Sequence, residues 1–226
     1  MILHIETATT NCSVSIAQEG LVVSFKEYAD VNYSHAEQLH LFISETLAAA
    51  AIEFSDLTAI AVSKGPGSYT GLRIGVSAAK GLCYALGIPL IAIPTLKSLA
   101  SQLSLKAGEI AIPMLDARRM EVYMTVFDHE LNELTPTQAL IIEENSLEAY
   151  CAAYEKVYII GSGAEKVMTV CTHQNLVGLT TALPSAKEMA ALSFNSYKAG
   201  LFEDVAYFEP YYLKDFMAPL PKKKAY

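Results

Sequence analysis

A chain of 226 residues with 16 Lys+Arg against 24 Asp+Glu carries a formal charge of −8. Its 52% apolar and 18% charged residues exclude a disordered chain, and the acidic balance argues against a protein that grips nucleic acid alone. The most apolar stretch, residues 74–93, is broken by Lys80, Gly81, Gly87 and Pro89, so it does not read as a membrane span. The start MILHIETATTNC has an acidic residue and no basic segment, unlike a secretory signal. Cys12, Cys83, Cys151 and Cys171 form no CxxC pair and read as reduced core thiols of a cytoplasmic protein.

Residues 1–5 form an apolar run, and 12–17 (CSVSIA) alternate; Gly20 then turns the chain into LVVSF, predicting a strand followed by a hairpin. Ser34 is the expected N-cap of a helix over 35–51, with Glu37 at the capping-box position. A short strand over 59–63 leads into the loop KGPGS and a second helix over 69–86, stopped by Gly87 and Pro89. Residues 90–93 read as a strand, with a helix starting near Pro94 or Thr95. A first lobe then ends at 107.

The pattern restarts in a second, smaller lobe over 108–213. Residues 109–115 end on Asp116 much as the first strand ends on Glu6, 110 positions earlier. After ARRM, the strand 121–127 (EVYMTVF) matches CSVSIA, as in a worn duplication. A helix over 147–154, a strand over 157–160, a short helix opened by GSGAEK and a last helix over 185–200 follow, the last expected to pack back on the first lobe. The tail 214–226, with Lys222, Lys223 and Lys224, reads as a solvated end. Alternating strands and helices in two similar halves predict an α/β actin-like ATPase fold with mixed sheets.

In that fold acidic residues and adjacent turns face a nucleotide and its metal. The candidates here are Glu6, Thr7, Gly65, Gly67 and Asp116: glycines let the backbone approach phosphate, and a helix N-terminus follows. There is no GxxxxGK[ST], HExxH or GxSxG. His35 and His40 lie about 140° apart around a helix and cannot clamp one metal, so no metal site or cofactor is expected.

The helix over 69–86 carries two charges, Arg73 and Lys80, on one narrow stripe with Ser77 and Tyr84; elsewhere it is apolar or glycine. The helix over 35–51 behaves similarly. Their outward residues, Glu37, Leu41, Ser44, Glu45 and Ala48 with Arg73, Val76, Ser77, Lys80 and Tyr84, are predicted to dock on another chain. Glu37 and Glu45 would then meet Arg73 and Lys80 across the contact. Without a partner, the same faces are expected to pair two copies as a homodimer.

MILHIETATTNCSVSI, GPGSYTGLRIGVSAAKGLCYALGIPLIAIPTL, MLDARRMEVYMTVF and EPYYLKD together resemble the TsaB (YeaZ) family, paralogues of TsaD. The resemblance implies an actin-like fold and a part in making threonylcarbamoyladenosine at position 37 of tRNAs that read ANN codons. It implies a non-catalytic subunit that docks on TsaD through the two N-terminal helices, is joined by the ATPase TsaE, and meets tRNA only through the complex. Where TsaD has an HxxxH metal pair, this chain has Thr95 and Leu99, and Glu6 stands where most relatives have Asp. The alternative is an Mg-ATP-binding ATPase or transferase acting alone.

Overall fold

The computed structural model describes residues 1–29 and 35–214; the expected Ser34 cap and the tail beyond Lys214 lie outside them. Two five-stranded sheets are built on one plan. In the first, β1 (Ile2–Glu6) pairs antiparallel with β2 (Asn11–Gln18), which pairs with β3 (Leu21–Ala29). On its other side β1 runs parallel to β4 (Ala59–Gly65), and β4 to β5 (Leu90–Pro94), giving the order β3-β2-β1-β4-β5.

The second sheet repeats this with β6 (Glu109–Asp116), β7 (Glu121–Met124), β8 (Gln138–Ile141), β9 (Lys156–Ile160) and β10 (Leu176–Leu179), in the order β10-β9-β6-β7-β8. Its pairings are antiparallel on one side of β6 and parallel on the other, as around β1. The predicted strand over 121–127 stops at Met124. Phe127 instead bridges Ala111 on β6, and its ring is buried between the sheets.

Side-chain alternation sorts the first sheet. Leu3 and Ile5 on β1, with Ile60 and Val62 on β4, face α1 (His35–Ala49) and α2 (Tyr69–Leu86). Ile2, Ala59 and Ala61 face the other way, toward Met189. That residue opens α6 (Met189–Lys198), which a 3₁₀ turn over Ala186–Glu188 introduces. The last helix thus lies on the first sheet, opposite α1 and α2.

Ser68 caps α2 by accepting from the Gly71 amide at 3.3 Å, and Gly87 closes it in the left-handed conformation. Between the sheets, α3 (Thr95–Ala100) buries Leu96 and Leu99 against Ala111, Leu115, Phe127 and Ile160. The second sheet carries the short helices α4 (Glu148–Ala153) and α5 (Ala164–Met168). No helix among the described residues is long and apolar enough to cross a membrane.

Candidate functional site

The turn after β1 is closed on itself. Glu6 is fully buried; the Ala8 amide and the Ser63 hydroxyl donate to its Oε1 at 2.6 and 2.8 Å, while Oε2 has no hydrogen-bond partner among the described residues. Burial lifts its carboxyl to a pKa of about 7 against the opposing pull of those donors, and the nearby Glu188 adds to the rise. The Thr7 hydroxyl donates to the Gly71 carbonyl at 2.8 Å, and the Ser68 amide to the Ala8 carbonyl at 2.6 Å. The glycine loop therefore lies against the chain itself. A Cβ on Gly67 would meet the Ala8 carbonyl at 2.5 Å, and one on Gly65 the Tyr211 carbonyl at 2.7 Å. Backbone thus packs against Gly65 and Gly67 on the side where a Cβ would stand.

The other candidates are likewise engaged internally. Thr95 is buried and accepts from the Gly65 amide at 3.1 Å, and Leu99 is buried between the sheets. Neither side chain offers the imidazole that a first-row metal prefers. Asp116 is exposed; its Oδ1 pairs with Lys166 at 2.6 Å and accepts from the Arg118 amide at 2.6 Å. Glu6 and Asp116 occupy equivalent ends of β1 and β6, but one is buried and the other exposed. Among the described residues no cluster of His, Cys, Asp and Glu has the composition of a metal site.

The outer face of the α1–α2 pair differs. Leu39, Phe42, Ile43 and Leu47 of α1 point into the core; Ala36, Glu37, His40, Leu41, Ser44 and Ala48 point out. On α2 the exposed stripe is Arg73, Ser77, Gly81 and Tyr84; Tyr84 is 87% exposed, and among the described residues nothing lies within 4 Å of where a Cβ on Gly81 would stand. An apolar groove of about 460 Å³ between Leu47, Ala48, Ile52 and Phe54 extends this face at the end of α1.

Three residues sit differently from expectation. Val76 is buried in the chain's own core, because it lies about a quarter of a turn from the middle of the exposed stripe. Glu45 pairs with Lys26 on β3. Lys80 turns back to donate to the Ala206 and Phe208 carbonyls at 3.2 and 2.9 Å. Both of those charges already have partners within the chain. Arg73 stacks its guanidinium over Tyr69, 4.2 Å from the ring centre, and Tyr69 packs on Tyr212. Sequence reasoning missed this C-terminal segment, whose Tyr211 amide donates to the Lys64 carbonyl at 2.7 Å; the aromatic run EPYYLKD was its only signal.

The family model described as TsaD, tRNA N6-adenosine threonylcarbamoyltransferase, matches residues 29–219. The tRNA threonylcarbamoyladenosine biosynthesis protein TsaB of Escherichia coli K12 is 28% identical over 99% of both chains. The solved structure of YeaZ from Pseudomonas aeruginosa superposes with a TM-score of 0.82 at 26% identity, covering 94% of this chain and 99% of that one. The activator of 2-hydroxyisocaproyl-CoA dehydratase from Clostridium difficile, at 10% identity and TM-score 0.50, covering 88% and 95%, shares the actin-like fold alone. A TsaD-type domain over most of the chain, and TsaB proteins similar along nearly its whole length, mean that the chain belongs to the TsaB (YeaZ) family.

Proposed function

We propose that this chain serves threonylcarbamoyladenosine formation in tRNA as a non-catalytic subunit of a TsaD-type transferase, which docks on the outer face of α1 and α2. The observation that carries the reading is that face: two helices whose outward residues are mostly small or apolar, with Gly81 open and Tyr84 almost wholly exposed. Small residues let a second helix pair approach closely, and a flat aromatic buried at the centre is a usual anchor of such contacts. The closed Glu6 turn and the Thr95–Leu99 pair support a subunit without chemistry of its own. TsaE joins the assembly in this reading, and at physiological salt tRNA is held only by the assembly, since an acidic chain alone contacts it weakly.

Reconstitution tests the reading. TsaD-type transferase, tRNA and the threonylcarbamoyl adenylate should turn over when this chain is added and stall without it. Equal turnover in its absence overturns the proposal. Without the partner the same faces pair two copies, and addition of the transferase should convert that dimer into a heterodimer. An ATPase acting alone would instead bind Mg-ATP in calorimetry without any partner.

A further inference from the structure

The chain holds three arginines, and two of them, Arg118 and Arg119, are adjacent at the tip of the β6–β7 hairpin. Both adopt the left-handed backbone, at φ 71° and 49°. A residue with a Cβ is strained there, whereas glycine or asparagine would make such a turn with less strain. The hairpin holds the strain from several sides. The Ala117 amide donates to the Glu121 carbonyl at 3.0 Å, and the Glu121 amide to the Arg118 carbonyl at 3.2 Å. Lys166 Nζ reaches under the turn to the Arg119 and Glu121 carbonyls, both at 2.8 Å, while it pairs with Asp116.

Asp116 and Lys166 therefore neutralise each other within the support. The two guanidiniums stand above it, both exposed, and no carboxylate among the described residues lies within ion-pairing distance of either. Backbone strain kept at a turn that shorter side chains would fill more easily points to a use for the long ones. Two planar, permanently charged donor forks side by side suit successive phosphates. A small anion needs an enclosed pocket to offset its desolvation, but a polyanion can bind an exposed hairpin tip by releasing its counterions.

We infer that Arg118 and Arg119 contact the phosphodiester backbone of RNA. On a chain of net charge −8 this is a local spot where the backbone can approach. The inference rests on the reading that the chain works in a tRNA-modifying assembly, and it gives the chain a direct part in holding the substrate.

The test is the salt dependence of labelled tRNA binding, measured by fluorescence anisotropy on the full chain alone at low salt and on the chain with its TsaD-type transferase. The probe variant is Arg118→Asn with Arg119→Gly. Its plot of log affinity against log salt should be shallower by about 1.5, the share of two phosphate contacts. Its melting temperature should not fall, which a merely structural role would require. Arg118→Lys with Arg119→Lys should keep most of the slope.

An unchanged slope in the double variant overturns the inference even where the transferase docks normally. Failure of the wild-type chain to dock defeats the proposed function instead, and the chain-alone titration still decides the arginines. Removal of residues 215–226, with their three lysines, should leave the arginine effect in place; a slope lost with that tail and not with the arginines assigns the contact to the tail. Saturable displacement of the RNA by micromolar ATP would assign the turn to a nucleotide, and also overturns it.

Discussion

Gly71 stands so close to Thr7 that a Cβ built on the glycine would lie 2.1 Å from the Thr7 carbonyl oxygen. The first turn of α2 is thus pressed onto the turn after β1, and Gly75 one turn later meets the Thr7 hydroxyl in the same way, at 2.2 Å. Two glycines set the depth at which α2 sits, and so the angle at which its outer stripe faces solvent. Gly71→Ala should lower the unfolding free energy by about 3 kcal/mol or more in denaturant titration, since backbone cannot yield as a side-chain tip can. Gly81→Ala, in open space on the same helix, should raise it by up to about 1 kcal/mol.

The buried polar residues of β1 predict an unusual pH response. Glu6 titrates near 7 in the fold, above its ordinary 4.5, so the folded state holds more protons and stability falls as pH rises from 4.5 to 7. His4, fully buried between Ser15 and Ser193, is pushed down from 6.5 to about 4 by burial, so its contribution rises with pH from 4 to 6.5. Glu188, raised by burial, acts in the same direction as Glu6; His35, lowered by burial, acts with His4. The two slopes oppose each other where they overlap. Glu6→Gln should expose the histidine slope, making the protein clearly less stable at pH 4.5 than at 6.5. A stability profile in Glu6→Gln identical to wild type would show that Glu6 is ionised in the fold at those pH values.

Lys80 fastens the C-terminal segment to α2. Lys80→Met keeps the aliphatic stem but removes the donor to the Ala206 and Phe208 carbonyls. Amide exchange at Glu203, Phe208 and Tyr211 should accelerate about tenfold, for a loss of roughly 1.4 kcal/mol in local opening, while exchange in β1 and β4 stays as in wild type.

Much of this architecture was legible in the sequence, because period-two alternation and helix stop signals are local. Leu3 and Ile5 against Ile2 and His4 sort the faces of β1, and Gly87 ends α2 where its φ of 67° requires. Asp116 also revealed the repeat of β1, which the shared strand order bears out. Other features depend on long-range geometry. Gln138–Ile141 is a four-residue strand whose neighbours decide its state, and Phe127 leaves the ladder to pack on Leu96, Leu99 and Leu115, which are distant in sequence. Glu45 and Lys80 read as free charges, since neither Lys26 nor the Ala206–Phe208 backbone is near them in sequence. Val76 was misplaced by a coarse estimate of the stripe, whereas Arg73, Ser77 and Tyr84 lie on it.

The most direct measurement uses Gly81→Glu. Among the described residues nothing beyond its own helix lies within 4 Å of a Cβ there, and glutamate favours helix over glycine, so the variant should melt at or above the wild-type temperature. Sedimentation of the full chain with its TsaD-type transferase should show a heterodimer with wild type and separate species with Gly81→Glu. Threonylcarbamoylation of tRNA should fall in parallel. A folded Gly81→Glu chain that binds the transferase as tightly as wild type would contradict the account, because the outer face of α1 and α2 could not then be the docking surface.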